Sequence, residues 1–217
     1  MSNRLTQQLD IDYPIIQAPM AGVSTPELAA AVSGAGALGS LGLGSATIEQ
    51  AETLINRTRR LTTRPFNVNL FCHAPAVRDP QREARWLARL RPEFARFGSL
   101  PPETLAEIYL SFQQQPRMAE LLLDLTPAAV SFHFGVPDRE TLRQLREKGI
   151  VTLASATSVA EALLAVEQGI DMVVAQGYEA GGHRGIFDPL APDGQMSTFT
   201  LVQTIRRHTD IPLIAAG

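Results

Sequence analysis

The chain has one cysteine (Cys72), one lysine (Lys148) and one tryptophan (Trp86). A lone cysteine excludes an internal disulfide and fits a reducing compartment. The four histidines, His73, His133, His183 and His208, show no metal-ligand spacing with one another or with Cys72, the adjacent Cys72-His73 pair included. No metal is therefore expected, and His73 and His208 are given no role. The 19 basic residues are scattered among 22 acidic ones, for a net charge of −3. That excludes a basic stripe for nucleic acid and a polybasic membrane patch. No apolar run is long enough to cross a bilayer, and the first residues, Met1-Ser2-Asn3-Arg4-Leu5-Thr6, carry no leader-like apolar region. A cytoplasmic protein is expected. Nucleophilic serine chemistry is also poorly supported, because no Gly-x-Ser-x-Gly elbow occurs. Cys72 follows an apolar run and reads as a buried thiol.

What is present suits one α/β domain over residues 1–217. Hydrophobic residues make up 45% and the mean hydropathy is +0.01, enough to bury a sizeable core. Apolar strand candidates start near Pro14, Ala37, Phe66, Ala128, Val151, Met172 and Pro212, with helical segments between them. Helix starts are marked by Ser24-Thr25-Pro26-Glu27, Thr47-Ile48-Glu49-Gln50 and Ser158-Val159-Ala160-Glu161, each with capping-box spacing. Helix stops are marked by Gly36, Gly149 and Gly169. This alternation predicts a (β/α)₈ TIM barrel cut short after its seventh strand, a piece of a longer polypeptide. The interval 73–126 exceeds what one helix needs. Both 82–90 and 102–125 read as amphipathic helices there, so a helical insertion after strand three is predicted, partly covering the barrel mouth. The glycine-rich tract from Gly34 to Gly44 is not a dinucleotide loop, since a helix precedes its first glycines and a strand lies within it.

The most informative stretch runs from Asp171 to Gly185. A short apolar run ends in Gln176 and gives way to a loop with Gly177, Gly181, Gly182 and Gly185 that carries His183. Glycines let backbone N–H groups approach an anion closely. A histidine beside them suits a reacting group held above a cofactor phosphate. The same spacing equally fits a glycine-rich surface loop with a solvated histidine. In a barrel of this kind, function sits at the C-terminal ends of the strands. Those ends supply Met20, Ala21 and Gly22, then Asn69, His133, Gln176 with Gly181 to His183, and Gly217.

The segment around His183 resembles the signature of the class I nitronate monooxygenases, the FMN enzymes once called 2-nitropropane dioxygenases. So do Pro14-Ile15-Ile16-Gln17-Ala18-Pro19-Met20-Ala21-Gly22-Val23-Ser24, Phe66-Asn67-Val68-Asn69-Leu70-Phe71 and Ile211-Pro212-Leu213-Ile214-Ala215-Ala216-Gly217. The resemblance spans the chain. It implies an FMN cofactor held by Met20, Ala21, Gly22, Asn69, Gln176, Gly181, Gly182 and Gly217. It implies His183 as the catalytic residue, taking the α-proton of a neutral nitroalkane or hydrogen-bonding a nitronate. The partners implied are a small-molecule nitronate of the propionate 3-nitronate class and O₂, and a homo-oligomer is compatible with it. His133 and Tyr109 are candidates for the substrate pocket; a core histidine and a packing aromatic fit the same residues. The superfamily also holds flavin-dependent quinone and enoyl-thioester reductases. An FMN-dependent NAD(P)H reductase is therefore the alternative enzyme, and a barrel that only sequesters flavin or serves as an assembly subunit the non-catalytic one.

Overall fold

The computed structural model describes residues 3–217. Six short strands, Gly39–Gly42 (β1), Phe66–Phe71 (β2), Ala129–His133 (β3), Val151–Ala156 (β4), Met172–Gln176 (β5) and Leu213–Ala216 (β6), form one sheet in the order β1-β2-β3-β4-β5-β6. Every neighbouring pair is parallel. Spatial order follows chain order, as repeated βαβ units require. The sheet curls into an open partial barrel.

Side chains alternate between its two faces. Leu41, Val68, Leu70, Val130, Phe132, Ala154 and Val173 face the helices, where they pack with residues such as Ile55, Met118, Leu142, Leu145, Leu201 and Ile205. These come from helices Ile48–Leu61 (α3), Pro116–Leu125 (α5), Arg139–Glu147 (α6) and Thr198–Arg206 (α8). Helices Pro26–Gly34 (α2) and Val159–Gln168 (α7) complete that layer.

The concave face is layered. At its N-terminal end Leu38, Ala129, Leu153 and Met172 pack against Leu5, Leu9 and Ile11. Leu5 and Leu9 lie on a first helix, Arg4–Leu9 (α1), which plugs that end of the curl. Each buried Leu or Ile there contributes about 1.5–3 kcal/mol. The next layer is polar: Asn67 Nδ2 donates to Ser40 Oγ at 3.2 Å and to Ser131 Oγ at 2.9 Å, and Asn69 Nδ2 donates to Ser131 Oγ at 2.9 Å. Asn67 Oδ1 is buried there with no partner among the described residues. Above this layer the concave face opens at the strand C-termini.

Several expectations need correction. The strand expected at Pro14 is an isolated bridge between Ile16 and Leu38, so the sheet has six strands rather than seven. The strand-two candidate starts at Gly39, because residues through Ala37 complete the turn out of α2 and Leu38 makes only the bridge to Ile16. Between β2 and β3, a helix does cover 82–90, namely Pro80–Arg96 (α4), but it has no buried residue. Of 102–125 only α5 is α-helical, after a short 3₁₀ turn at Phe112–Gln114. Leu105, Ile108 and Tyr109 are helically spaced, yet Ile108 is 72% exposed. Without a face to bury, so short a segment does not offset the cost of helix nucleation.

The capping expectations meet a mixed outcome. The Thr47–Gln50 box is complete. In α2 the capping side chain is Thr25, one residue after Ser24. Ser158 caps α7, but Glu161 turns its carboxylate to the N–H and hydroxyl of Thr157 instead of closing a box. Gly36, Gly149 and Gly169 all have positive φ, as helix-ending glycines do.

Candidate active site at the strand C-termini

β5 ends at Gln176, and the chain then turns beneath the first residue of α8. A Cβ on Gly177 would lie 2.0 Å from Thr198 Oγ1, so no side chain fits at that turn. Beyond it the loop is fixed by Gln176 itself. Gln176 Nε2 donates to the His183 carbonyl at 2.9 Å, and Gly185 N donates to Gln176 Oε1 at 2.7 Å. One buried amide thus spans the loop, and its nitrogen and oxygen each retain one further bonding position. Arg184 adds a second tie. It donates to the Gln176 carbonyl at 2.6 Å and grips Asp193 with two hydrogen bonds of 2.8 and 2.9 Å. This pairing holds the Asp193 carboxyl below its ordinary range. Glu161 Oε1 accepts from Phe187 N at 2.8 Å and pins the loop to α7.

The His183 ring is exposed at the top of this loop. His133, the last residue of β3, lies beside it: its Nε2 is 3.1 Å from the His183 carbonyl and its Nδ1 is 2.9 Å from Ser155 Oγ. Burial is the main cause that pushes the His133 pKa below the usual histidine value. Both ring nitrogens are engaged, so what His133 offers a bound molecule is the body of its ring. The ring of Phe134 is 4.3 Å from His133, 6.0 Å from His183 and 5.0 Å from Phe71, and Tyr109 meets Phe71 edge-on at 5.8 Å. The structure therefore brings Tyr109, His133 and His183 together around two phenylalanines. Tyr109 does so from an irregular segment, not from the helix that the sequence suggested.

Phe71 and Phe134 were not among the candidate site residues. Phe71 has the same signal as Asn69, a position at the end of a strand. Phe134 had none in the sequence, for its φ of 70° becomes visible only in three dimensions. That left-handed backbone is unfavourable for a bulky side chain.

The remaining candidates lie around the same mouth. The Met20–Ala21 backbone crosses the end of β1 so closely that a Cβ on Gly42 would lie 3.1 Å from Ala21 N. The Met20 carbonyl accepts from Val23 N and Ser24 N to close a turn through Gly22. Asn69 is buried in the polar layer. Gly182 has φ +80°, and a Cβ on either Gly181 or Gly182 would meet nothing within 4 Å. This is open space. Gly217, at the end of β6, approaches the same turn, where a Cβ would lie 3.2 Å from Ala180 N. The N-terminus of α8 is not free for an anion, because Glu179 Oε1 accepts from Thr198 N at 2.9 Å. Cys72 is buried and its thiol is pushed up to about 12, so it has no nucleophilic part here. Among the described residues no cluster of His, Cys, Asp and Glu could hold a metal ion.

The family model for nitronate monooxygenase matches residues 2–217. The chain belongs to the nitronate monooxygenase family. It is 52% identical over its whole length to the nitronate monooxygenase of Pseudomonas aeruginosa, covering 62% of that protein. Against the nitronate monooxygenase of Paraburkholderia phytofirmans it is 51% identical over 96% of its length, covering 57% of the relative. The chain thus spans roughly 60% of the length of these curated relatives. Among solved structures it resembles the nitroalkane oxidase of Streptomyces ansochromogenes, with a TM-score of 0.85 and 38% identity, covering 96% of this chain and 59% of that one. It also resembles FabK from Thermotoga maritima, with a TM-score of 0.70 and 27% identity, covering 98% of this chain and 53% of that one. For this family member the fold was expected from sequence to be a TIM barrel, and the curled parallel sheet agrees with that at the level of six strands with flanking helices.

Proposed function

We propose that the protein containing this chain is an FMN-dependent nitronate monooxygenase. It oxidises alkyl nitronates of the propionate 3-nitronate class with O₂, giving a carbonyl product and nitrite or nitrate. The observation that carries this reading is the placement of the His183 ring, anchored through its own carbonyl beside the open glycine pair and the wall formed by Phe71 and Phe134.

The residues present fit the cofactor. The space beside Gly181 and Gly182 is open, with no protein atom within 4 Å of a Cβ at either, which leaves a phosphate room to reach the backbone N–H groups of the loop. Gly217 closes the same corner. The Gln176 amide keeps one donor and one acceptor position free, and Asn69, whose nitrogen is spent on the carbonyl and hydroxyl of Ser131, offers its Oδ1 as an acceptor, which suits the pyrimidine edge of a flavin. The turn from Met20 to Gly22 supplies backbone on the other side. FMN bound there supplies the redox chemistry. The chain supplies orientation and proton handling. His183 takes the α-proton from a neutral nitroalkane, or hydrogen-bonds the oxygens of a nitronate that has already lost it. Tyr109, Phe71, Phe134 and the His133 ring form an aromatic wall beside His183 for the substrate to pack on. The segment 73–126, with α4 lying outside the core, partly covers the mouth of the single FMN-binding domain. No helix among the described residues is long and apolar enough to cross a membrane, and the lone buried Cys72 fits a cytoplasmic setting.

The NAD(P)H reductase alternative has less support, since the relatives sharing half of the chain's residues are named nitronate monooxygenases. Oxygen uptake by the full gene product on propionate 3-nitronate, with and without NADH, tests the choice. Uptake without NADH is expected. Uptake that requires NADH and ignores the nitronate would transfer the reading to a reductase.

A further inference from the structure

We propose that Ser155 is a positioning residue for the catalytic loop: its hydroxyl donates to His133 Nδ1, fixes His133 as the Nε2–H tautomer, and so lets His133 hold the carbonyl of His183. The geometry leaves little freedom. A backbone carbonyl only accepts, so the His133 Nε2 that stands 3.1 Å from the His183 oxygen must carry a proton. In a neutral ring the other nitrogen is then bare, and it lies 2.9 Å from Ser155 Oγ, a group able to donate. An imidazolium would have to donate through both nitrogens, which burial disfavours.

Register explains why these groups meet. Ser131 of β3 stands opposite Leu153 of β4, so two residues further along the same face His133 comes beside Ser155. On the other side Ser155 stands opposite Val174 of β5, and two residues on is Gln176. Three adjacent strands therefore deliver Ser155, His133 and Gln176 to one place, and two of the three bond a single atom of the loop.

The loop needs that support. His183 follows two glycines beside open space, and its ring is exposed. Gly185 comes so close to His133 that a Cβ would lie 2.6 Å from Cε1, so the imidazole also shapes the path of the backbone it holds. A ring of the wrong tautomer would present a lone pair to the His183 carbonyl. The two atoms would repel, and the loop would rest on its ties to Gln176, Arg184 and Glu161.

The consequence for turnover rests on the function proposed above, whereas the tautomer itself does not. The test uses the full gene product labelled with ¹⁵N-histidine. Long-range ¹H–¹⁵N spectra at pH 8 report the tautomer of each ring, and the signals of His133 are assigned by their loss in His133→Gln. A protonated Nε2 and a bare Nδ1 are expected in the wild type. Ser155→Ala should give a mixture of tautomers and lower kcat on a nitronate about tenfold, the scale of one net hydrogen bond, with a smaller change in KM. Ser155→Thr, which keeps a hydroxyl, should restore both. A wild-type His133 protonated at Nδ1, or doubly protonated at pH 8, would overturn the assignment even if Ser155→Ala failed to fold. So would a Ser155→Ala protein with unchanged tautomer and kcat. If the wild type oxidises no nitronate, the proposed function fails while the spectra still decide the role of Ser155.

Discussion

Gly185 and His133 are packed so tightly that a methyl group on the glycine would lie 2.6 Å from Cε1 of the imidazole and 3.1 Å from its Nδ1. The ring cannot swing aside freely, since both nitrogens are hydrogen-bonded and Phe134 lies at 4.3 Å. Gly185→Ala should therefore displace His133 or lift the loop. Overpacking of this kind costs about 1–3 kcal/mol. We expect a lower midpoint in urea unfolding together with a fall in turnover. An alanine variant with wild-type stability and turnover would show that the loop yields at no cost.

The phosphate assignment separates the two glycines ahead of His183. A Cβ on Gly181 meets no protein atom within 4 Å, and its φ is not in the left-handed region. Gly181→Val should thus leave the fold nearly as stable as before, and any loss should fall on the cofactor. Pushing a phosphate off one backbone donor costs about 1.5–3 kcal/mol, or roughly 10- to 150-fold in FMN affinity. Gly182→Val adds backbone strain at φ +80°, about 1–2 kcal/mol, and should lower stability as well. Fluorescence titration of apoprotein with FMN and thermal melts measure the two quantities separately. Equal FMN affinity in Gly181→Val and wild type would remove the phosphate from this loop.

The strand-end logic of a barrel was legible in the sequence because the chemistry follows from topology. A glycine loop after Gln176 and an asparagine at position 69 sit where a parallel curled sheet must open. Helix ends were legible for a similar reason, since Thr47 and Gly169 act locally. Three features were not legible. Helix α1 is too short to show amphipathic periodicity, since about one turn and a half with Leu5 and Leu9 gives a single apolar spacing. The strand expected at Pro14 reduces to a single bridge, because a short apolar run alone does not say how many backbone pairs will form. The Ser155–His133 contact depends on register between strands that are separated in the chain by a helix. Nothing local to either residue encodes it.

Burial of His133 links stability to pH. Its pKa in the folded protein is lowered, chiefly by desolvation, while in the unfolded chain it is near the ordinary histidine value of about 6.5. The unfolded state therefore binds the proton more readily. The stability contribution is fully present above about pH 6.5 and is lost as pH falls toward the folded pKa. The groups packed on this ring are Ser155, Phe71, Phe134 and the His183 loop. Urea unfolding of wild type and His133→Gln at pH 8, 6.5 and 5.5 should show a steeper loss on acidification in the wild type. Parallel curves for the two proteins would mean that His133 is protonated as easily in the fold as outside it.

His183 carries the sharpest prediction. Its ring is exposed and its backbone is held independently by Gln176 and His133, so His183→Asn should keep the fold and the FMN site. A neutral nitroalkane must lose its α-proton before it can react as a nitronate, and a positioned base typically contributes 10²- to 10⁴-fold to such a step. A preformed nitronate has lost that proton already, so only a charge-assisted hydrogen bond to its oxygens is at stake, ~1.5–3 kcal/mol. The variant should therefore lose far more kcat/KM on the neutral form than on the nitronate of the same compound. Equal losses on both would make His183 a binding group and not a base. No loss on either would leave it a solvated residue on a well-anchored loop, and the catalytic reading of this site would then have to be sought in Tyr109 or in residues outside this chain.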